Sequence, residues 1–128
     1  GSWVWPTSAP YTITSKYGWR WGKLHEGIDI SGTGYGSPIK AANNGVVYQS
    51  GYTSVNGNYI VIAHSNGYYT MYAHMATRYK SAGATVYAGD VIGLMGESGF
   101  ATGVHLHFAI WRGYPYRGGV ALNAMQFY

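Results

Sequence analysis

The sequence contains no cysteine. That excludes a disulfide framework, a thiol nucleophile and cysteine-based zinc fingers together. It leaves the redox compartment open, since a cysteine-free chain is compatible with any of them. Charged residues are scarce, at 9%, and only four of them are acidic. Long charged side chains normally cover the outer faces of helices, so their scarcity argues against a helical protein. The eight basic residues are scattered, which excludes the basic stripe of a nucleic-acid binder. No apolar run approaches the roughly 20 residues of a membrane span. Proline is also rare, at four residues.

What the chain has in abundance is glycine (20 residues), tyrosine (14) and tryptophan (5). Aromatic residues favour strands and glycine favours tight turns. A length of 128 residues fits one domain, 1–128, large enough to bury a core without a structural metal. Gly1-Ser2 reads as a cloning remnant, which suggests a piece of a longer, secreted precursor. The net charge of +4 is a mild bias towards anionic surfaces such as a bacterial wall.

Short strand signals recur along the chain. They cover Val46–Gln49, Tyr59–His64, Tyr68–His74, Val91–Met95 and Val104–Trp111. Ser65-Asn66-Gly67 is a turn that would join two of them into a hairpin. Only 76–82 offers a short helical turn. This pattern predicts an all-β fold, an antiparallel barrel or sandwich with long loops that form a groove.

The chemistry lies in where the histidines fall. His25 and Asp29 are four positions apart, and His105 and His107 occupy alternate positions, with His74 between the two pairs. In a strand, residues i and i+2 share a face about 6.6 Å apart, so Leu106 and Phe108 would turn to the core. One imidazole of that pair can ligate a metal while the other acts on what the metal binds, or both can ligate. The spacing does not separate these cases, nor does it exclude two packed histidines. His25 and Asp29 would lie about 13 Å apart along a straight strand. To meet at one ion the chain must bend, and Gly27 permits a bend. Asp29 sits between Ile28 and Ile30, where an unpaired carboxylate is costly. A metal would partner it; so would an arginine or a set of backbone N–H groups. Imidazoles with one carboxylate and no thiolate suit zinc in a catalytic arrangement.

The whole set of motifs resembles the lysostaphin-type, LytM-like zinc endopeptidases of bacterial peptidoglycan, peptidase family M23. The resemblance runs from about Ile13 to the C-terminus. It is carried by His25-Glu26-Gly27-Ile28-Asp29, Tyr72-Ala73-His74, Ala88-Gly89-Asp90-Val91-Ile92-Gly93 and Gly103-Val104-His105-Leu106-His107-Phe108. It implies one zinc ion held by His25, Asp29 and His107, with His74 and His105 as catalytic residues. It further implies a peptidoglycan peptide as substrate, a monomer, and action outside the cell at the wall. Two departures stand out. Val104 and Ala109 occupy positions where the family often has Pro and Glu. The alternatives within this resemblance are a non-catalytic LytM-like regulator, a wall-binding module and a carboxypeptidase.

The remaining residues divide between site and scaffold. Trp19 and Trp111 are the expected substrate-binding aromatics, with Trp21, Tyr114 and Tyr116 as further groove walls or loop packing. His64 is expected to be a hydrogen-bonded structural residue and Glu26 a surface residue. Trp3 and Trp5 are expected to anchor the N-terminus. Gly96-Glu97-Ser98-Gly99 is a turn without the strand–helix context of a serine nucleophile.

Overall fold

A computed structural model describes residues 3–128; Gly1-Ser2, read above as a cloning remnant, lie outside the described residues. Twelve strands account for the architecture of the described residues. They are β1 (Thr12–Ser15), β2 (Gly18–Arg20), β3 (Lys23–His25), β4 (Ile28–Ser31), β5 (Pro38–Lys40) and β6 (Gly45–Thr53). The others are β7 (Gly57–Ala63), β8 (Tyr68–Arg78), β9 (Thr85–Val86), β10 (Val91–Met95), β11 (Leu106–Arg112) and β12 (Val120–Leu122). Ten of them form one sheet with the order β1-β4-β11-β8-β7-β6-β9, and β5, β10 and β12 branch from it; these pairings are all antiparallel. β2 and β3 make a separate hairpin.

The all-β antiparallel expectation holds, but the path does not close into a barrel. β1 ends one edge and β9 the other, and they do not pair. The expected helical turn at 76–82 is also absent. Residues 76–78 continue β8, because Thr77 and Arg78 pair with Leu94 and Gly93 of β10. Cross-strand pairing has overridden a weak local preference. The helical turns are instead short 3-10 segments at Ser65–Gly67 and Ala124–Phe127.

Alternation along the central strands sorts the side chains. In β4, Ile28 and Ile30 are fully buried while Asp29 and Ser31 turn to the opposite face. In β11, Leu106, Phe108 and Ile110 enter the main core with Ile60, Ile62 and Tyr72. On the other face, Ala109 and Trp111 join Val61, Met71 and Ala73 in a smaller cluster. The period of two therefore gives each strand one core-facing row and one row that leads to the site. Among the described residues, no helix is long and apolar enough to cross a membrane.

His64 belongs to the scaffold. The Asn44 carbonyl lies 2.7 Å from its Nδ1 and Thr70 Oγ1 lies 2.7 Å from its Nε2. Both ends of this chain have fixed polarity. The Ala42 N–H donates to the Tyr72 hydroxyl at 2.9 Å, and the Asn44 carbonyl only accepts. The protons therefore run one way, from Ala42 through Tyr72 and Thr70 into Nε2 of a neutral His64, which donates from Nδ1. Trp3 packs edge-on against the His64 ring and against Tyr68 and Phe127, and Trp5 stacks on Tyr11, so both anchor the N-terminus to the sheet.

Burial holds the His64 imidazole below its ordinary pKa, although the Asn44 carbonyl opposes the shift. A histidine with a depressed folded pKa contributes stability above its unfolded value of about 6.5, and loses it as pH falls through the folded value. Wild type should therefore melt progressively lower between pH 7.5 and pH 5. His64→Gln, even with a lower starting Tm, should lose less over the same interval. Equal losses in thermal scans of the two proteins would contradict this assignment.

Candidate metal centre and cleft

Asp29 and His107 are directly opposite each other on β4 and β11. Facing residues of an antiparallel pair put their side chains on the same side, so the strand register itself brings the carboxylate to the imidazole. His107 Nδ1 lies 3.1 Å from Asp29 Oδ1. A slip of one residue would turn His107 into the core and Leu106 towards Asp29.

His25 arrives from the other hairpin. It is the last residue of β3, and the chain bends at Glu26-Gly27 before β4 begins. The bend is the expected one, but Gly27 serves it differently. Its φ is not positive; a Cβ there would lie 2.4 Å from the Phe108 carbonyl oxygen. The glycine allows the bend to lie flat on β11. His25 Nε2 comes to 3.5 Å from Asp29 Oδ2. Its Nδ1 faces the Lys16 carbonyl at 2.9 Å. A carbonyl cannot donate, so Nδ1 carries a hydrogen and Nε2 is the ring nitrogen that faces Asp29 and the cleft.

His25, Asp29 and His107 offer ligand atoms that all lie within 4.8 Å of one another. Ligands on a tetrahedral zinc ion stand about 3.3 Å apart along an edge, given bonds of about 2.0 Å. The His107–Asp29 and His25–Asp29 separations bracket that length. The donor set of two imidazoles, one carboxylate and no thiolate fits zinc and leaves a coordination position open.

His74 owes its position to a distortion in β8. Asn58 pairs with Met75 and Ile60 with Tyr72, so β8 has one extra residue at Ala73-His74 relative to β7. His74 has a φ of 63°, in the left-handed region. Such bulges re-aim a side chain, and strain of this kind recurs at functional sites. Here it is held by two hydrogen bonds. The His74 N–H donates to the Asn56 carbonyl at 2.8 Å, and its Nδ1–H to the Ser98 carbonyl at 2.7 Å. Ser98 is thereby a structural residue, its hydroxyl donating to the Met75 carbonyl.

His105 stands just before β11, in an isolated bridge with Gly96. Its Nδ1 donates to the Gly103 carbonyl at 3.0 Å, and its Nε2 lies 3.7 Å from Asp29 Oδ1. The His74 and His105 ring centres are 4.9 Å apart. Burial lowers the His74 pKa, and the charges on His105 and His107 add to this, against the opposing Ser98 carbonyl and Asp29. Burial pushes Asp29 up, but the His107 hydrogen bond and the charges on His107, His105 and His25 hold it below its ordinary value.

All five residues line one open cavity of about 390 Å³, with Glu26, Phe100 and Tyr116 among its walls. A second cavity of about 430 Å³, lined by Thr14, Ser15 and Ser31, shares Asp29, Thr102 and His105 with it. The two form one groove that passes over the histidines.

The aromatic expectations divide. Trp19 is exposed in the β2–β3 hairpin beside the groove. Trp21 is fully exposed at the tip, where Trp21 and Gly22 both have positive φ, as a two-residue turn of this kind requires. Trp111, expected to touch substrate, is instead 5% exposed. Its place in β11 directs it into the smaller apolar cluster, under Tyr116, whose ring centre is 4.8 Å away. Glu26 is also not the surface residue expected, because its Oε2 is buried. Asn56 and Phe100 escaped sequence reading altogether. They come from loops whose approach to the site no periodicity encodes.

Known proteins resemble this chain in sequence and fold. The peptidoglycan DD-endopeptidase ShyC of Vibrio cholerae is 45% identical over 86 residues, 67% of this chain. This chain spans only 20% of that protein's length. A crystal structure of a zinc containing peptidase from Vibrio cholerae is 32% identical, covering 86% of this chain and 36% of that one, with a TM-score of 0.81. A mutant catalytic domain of the prophage-encoded M23 protein EnpA from Enterococcus faecalis is 31% identical. It covers 96% of this chain and 95% of that one, with a TM-score of 0.83. Residues 23–123, from the strand that carries His25 to the turn beyond β12, match the model of peptidase family M23, and the chain belongs to that family.

Proposed function

We propose that this domain is a zinc-dependent endopeptidase that hydrolyses peptide bonds in the stem peptides or cross-bridges of bacterial peptidoglycan. The observation that carries the reading is the convergence of three ligand atoms and two further imidazoles on one open groove. Zinc held by His25, Asp29 and His107 would supply a Lewis acid for the peptide carbonyl and lower the pKa of water at the site. His105 and His74 each have Nδ1–H tied to a carbonyl, so the Nε2 lone pair is the free one. Either can take a proton from the attacking water and return it to the leaving amine. In its protonated form, the same ring donates to the oxyanion as it develops.

The names of ShyC and of the Vibrio zinc containing peptidase support the substrate and the metal. Such a substrate places the domain outside the cytoplasm, at the wall. All five residues come from a single chain, which supports action as a monomer.

Purified zinc-loaded protein should release peptides from cell walls, and chelation should stop it. His105→Ala should keep its zinc and release them about 10² to 10⁴ times more slowly. Mass spectrometry of the products identifies the bond. Equal release by wild type, chelated protein and variant would overturn the reading, as would none from any of them.

A further inference from the structure

The cavity contains one chemically unsettled group. Glu26 follows His25 directly and lines the same walls as the five site residues. Its Oε2 is buried and has no hydrogen-bond partner among the protein atoms. The only ion pairs among the described residues join Asp29 to His25, His105 and His107, so no lysine or arginine neutralises Glu26. Lys23 lines the same cavity without pairing to it. A carboxylate left this way is costly unless a donor, and preferably a cation, meets it.

Tyr116 lines the same cavity, with its hydroxyl beside Glu26. The residue is held at a φ of 61° in the tight loop between β11 and β12, and its ring packs on buried Trp111. Although it is 59% exposed overall, crowding around the hydroxyl pushes the phenol up, and the Glu26 carboxylate adds to the shift. The phenol therefore stays protonated beside the carboxylate. Strain at Tyr116 and an unpartnered oxygen at Glu26 thus meet in one wall of the groove. The other arm, lined by Thr14, Ser15 and Ser31, carries hydroxyls and no carboxylate beyond the shared Asp29.

We propose that Glu26 is a specificity-determining residue of this cleft: its carboxylate, beside the Tyr116 hydroxyl, takes a primary ammonium group that the substrate carries near the bond to be cut. This rests on the peptidase reading given above. The ammonium has two possible sources, the side chain of a diamino residue or the free α-amine of a peptide terminus. A primary ammonium offers three N–H donors, enough for the less buried carboxylate oxygen and the phenol oxygen. A charge-assisted contact of this kind changes affinity by about tenfold or more.

The test uses two synthetic peptides with a wall-type cleavable bond. One bears a side-chain amine and the other an α-amine, each prepared free and N-acetylated. For one of the two, acetylation should lower wild-type kcat/KM by about tenfold or more, through KM. The peptide that shows the effect identifies the source of the ammonium. Glu26→Gln should cleave the free and acetylated forms equally, and Glu26→Asp should keep part of the discrimination. If wild type ignores acetylation in both peptides, or Glu26→Gln discriminates as fully as wild type, the proposal is wrong. If wild type cleaves none of the four, the peptidase reading fails instead. In that case, binding of the same peptides to zinc-loaded His105→Ala decides the Glu26 site: tighter binding of a free amine supports it, and equal binding of all forms overturns it. Should Glu26→Gln not fold, the acetylation pairs on wild type decide alone.

Discussion

Asp29→Asn should abolish zinc binding at the proposed centre and, with it, at least about three orders of magnitude of hydrolytic rate. The carboxylate is the element on which the site converges. It lies 3.1 Å from His107, 3.5 Å from His25 and 3.7 Å from His105. An amide of the same shape preserves packing but withdraws the negative charge from the ligand set. It also offers a neutral oxygen, a poor ligand for a divalent ion compared with carboxylate. Zinc per chain after dialysis, measured by mass spectrometry, and the rate of peptide release report the two effects separately. Retention of one zinc ion per chain at wild-type affinity would show that the two imidazoles of the set suffice, and would remove Asp29 from the ligand set.

Gly27→Ala should act through geometry alone. Its backbone needs no left-handed conformation, so the added methyl meets only steric resistance. That resistance is severe: the methyl would lie 2.4 Å from the Phe108 carbonyl oxygen and 3.0 Å from the Ala109 Cβ. Both belong to β11, whose alternate residues Leu106 and Phe108 are fully buried, so the strand cannot yield locally. Relief requires β4 and β11 to separate, and those are the strands that hold Asp29 opposite His107. A stability loss of about 3 kcal/mol is expected, the upper part of the usual range for overpacking. At this chain length it lowers Tm by about 10 °C. Zinc affinity should fall with it. Gly103→Ala is the control, since a Cβ there meets nothing within 4 Å and needs no unusual φ. It should change stability by less than about 0.5 kcal/mol. Calorimetry and zinc titration of the two variants compare the effects. Similar stability and metal binding in both would show that the contact with β11 is readily accommodated.

The contrast between these glycines shows what could be read from sequence. Gly27 was legible as the point where the chain turns between His25 and Asp29, but its contact with Phe108, some 80 positions later, was not. Trp111 carries the same lesson. Its composition and neighbours suggested a groove wall, yet its parity in β11 sends it to the buried face, and Tyr116 lies above it. The helical turn expected at 76–82 gave way to the pairing of β8 with β10. His74 was recognisable by type and motif, whereas the bulge that aims it depends on an extra residue relative to β7. Glu26 looked like an ordinary exposed acid because the residues that share its cavity, Asn56, Phe100 and Tyr116 among them, come from distant parts of the sequence.

By itself the sequence determined the residue types of the centre, the absence of thiolate chemistry and the strand period. These are local properties: donor identity is set by the side chain, and a period of two is set by the pleat. Only the tertiary structure decided which donors meet, at what distance and with which ring nitrogen free. That outcome depends on the register of β4 against β11 and on carbonyls contributed by Lys16, Ser98 and Gly103. Register follows from the packing of whole strands over one core, so no segment contains it alone.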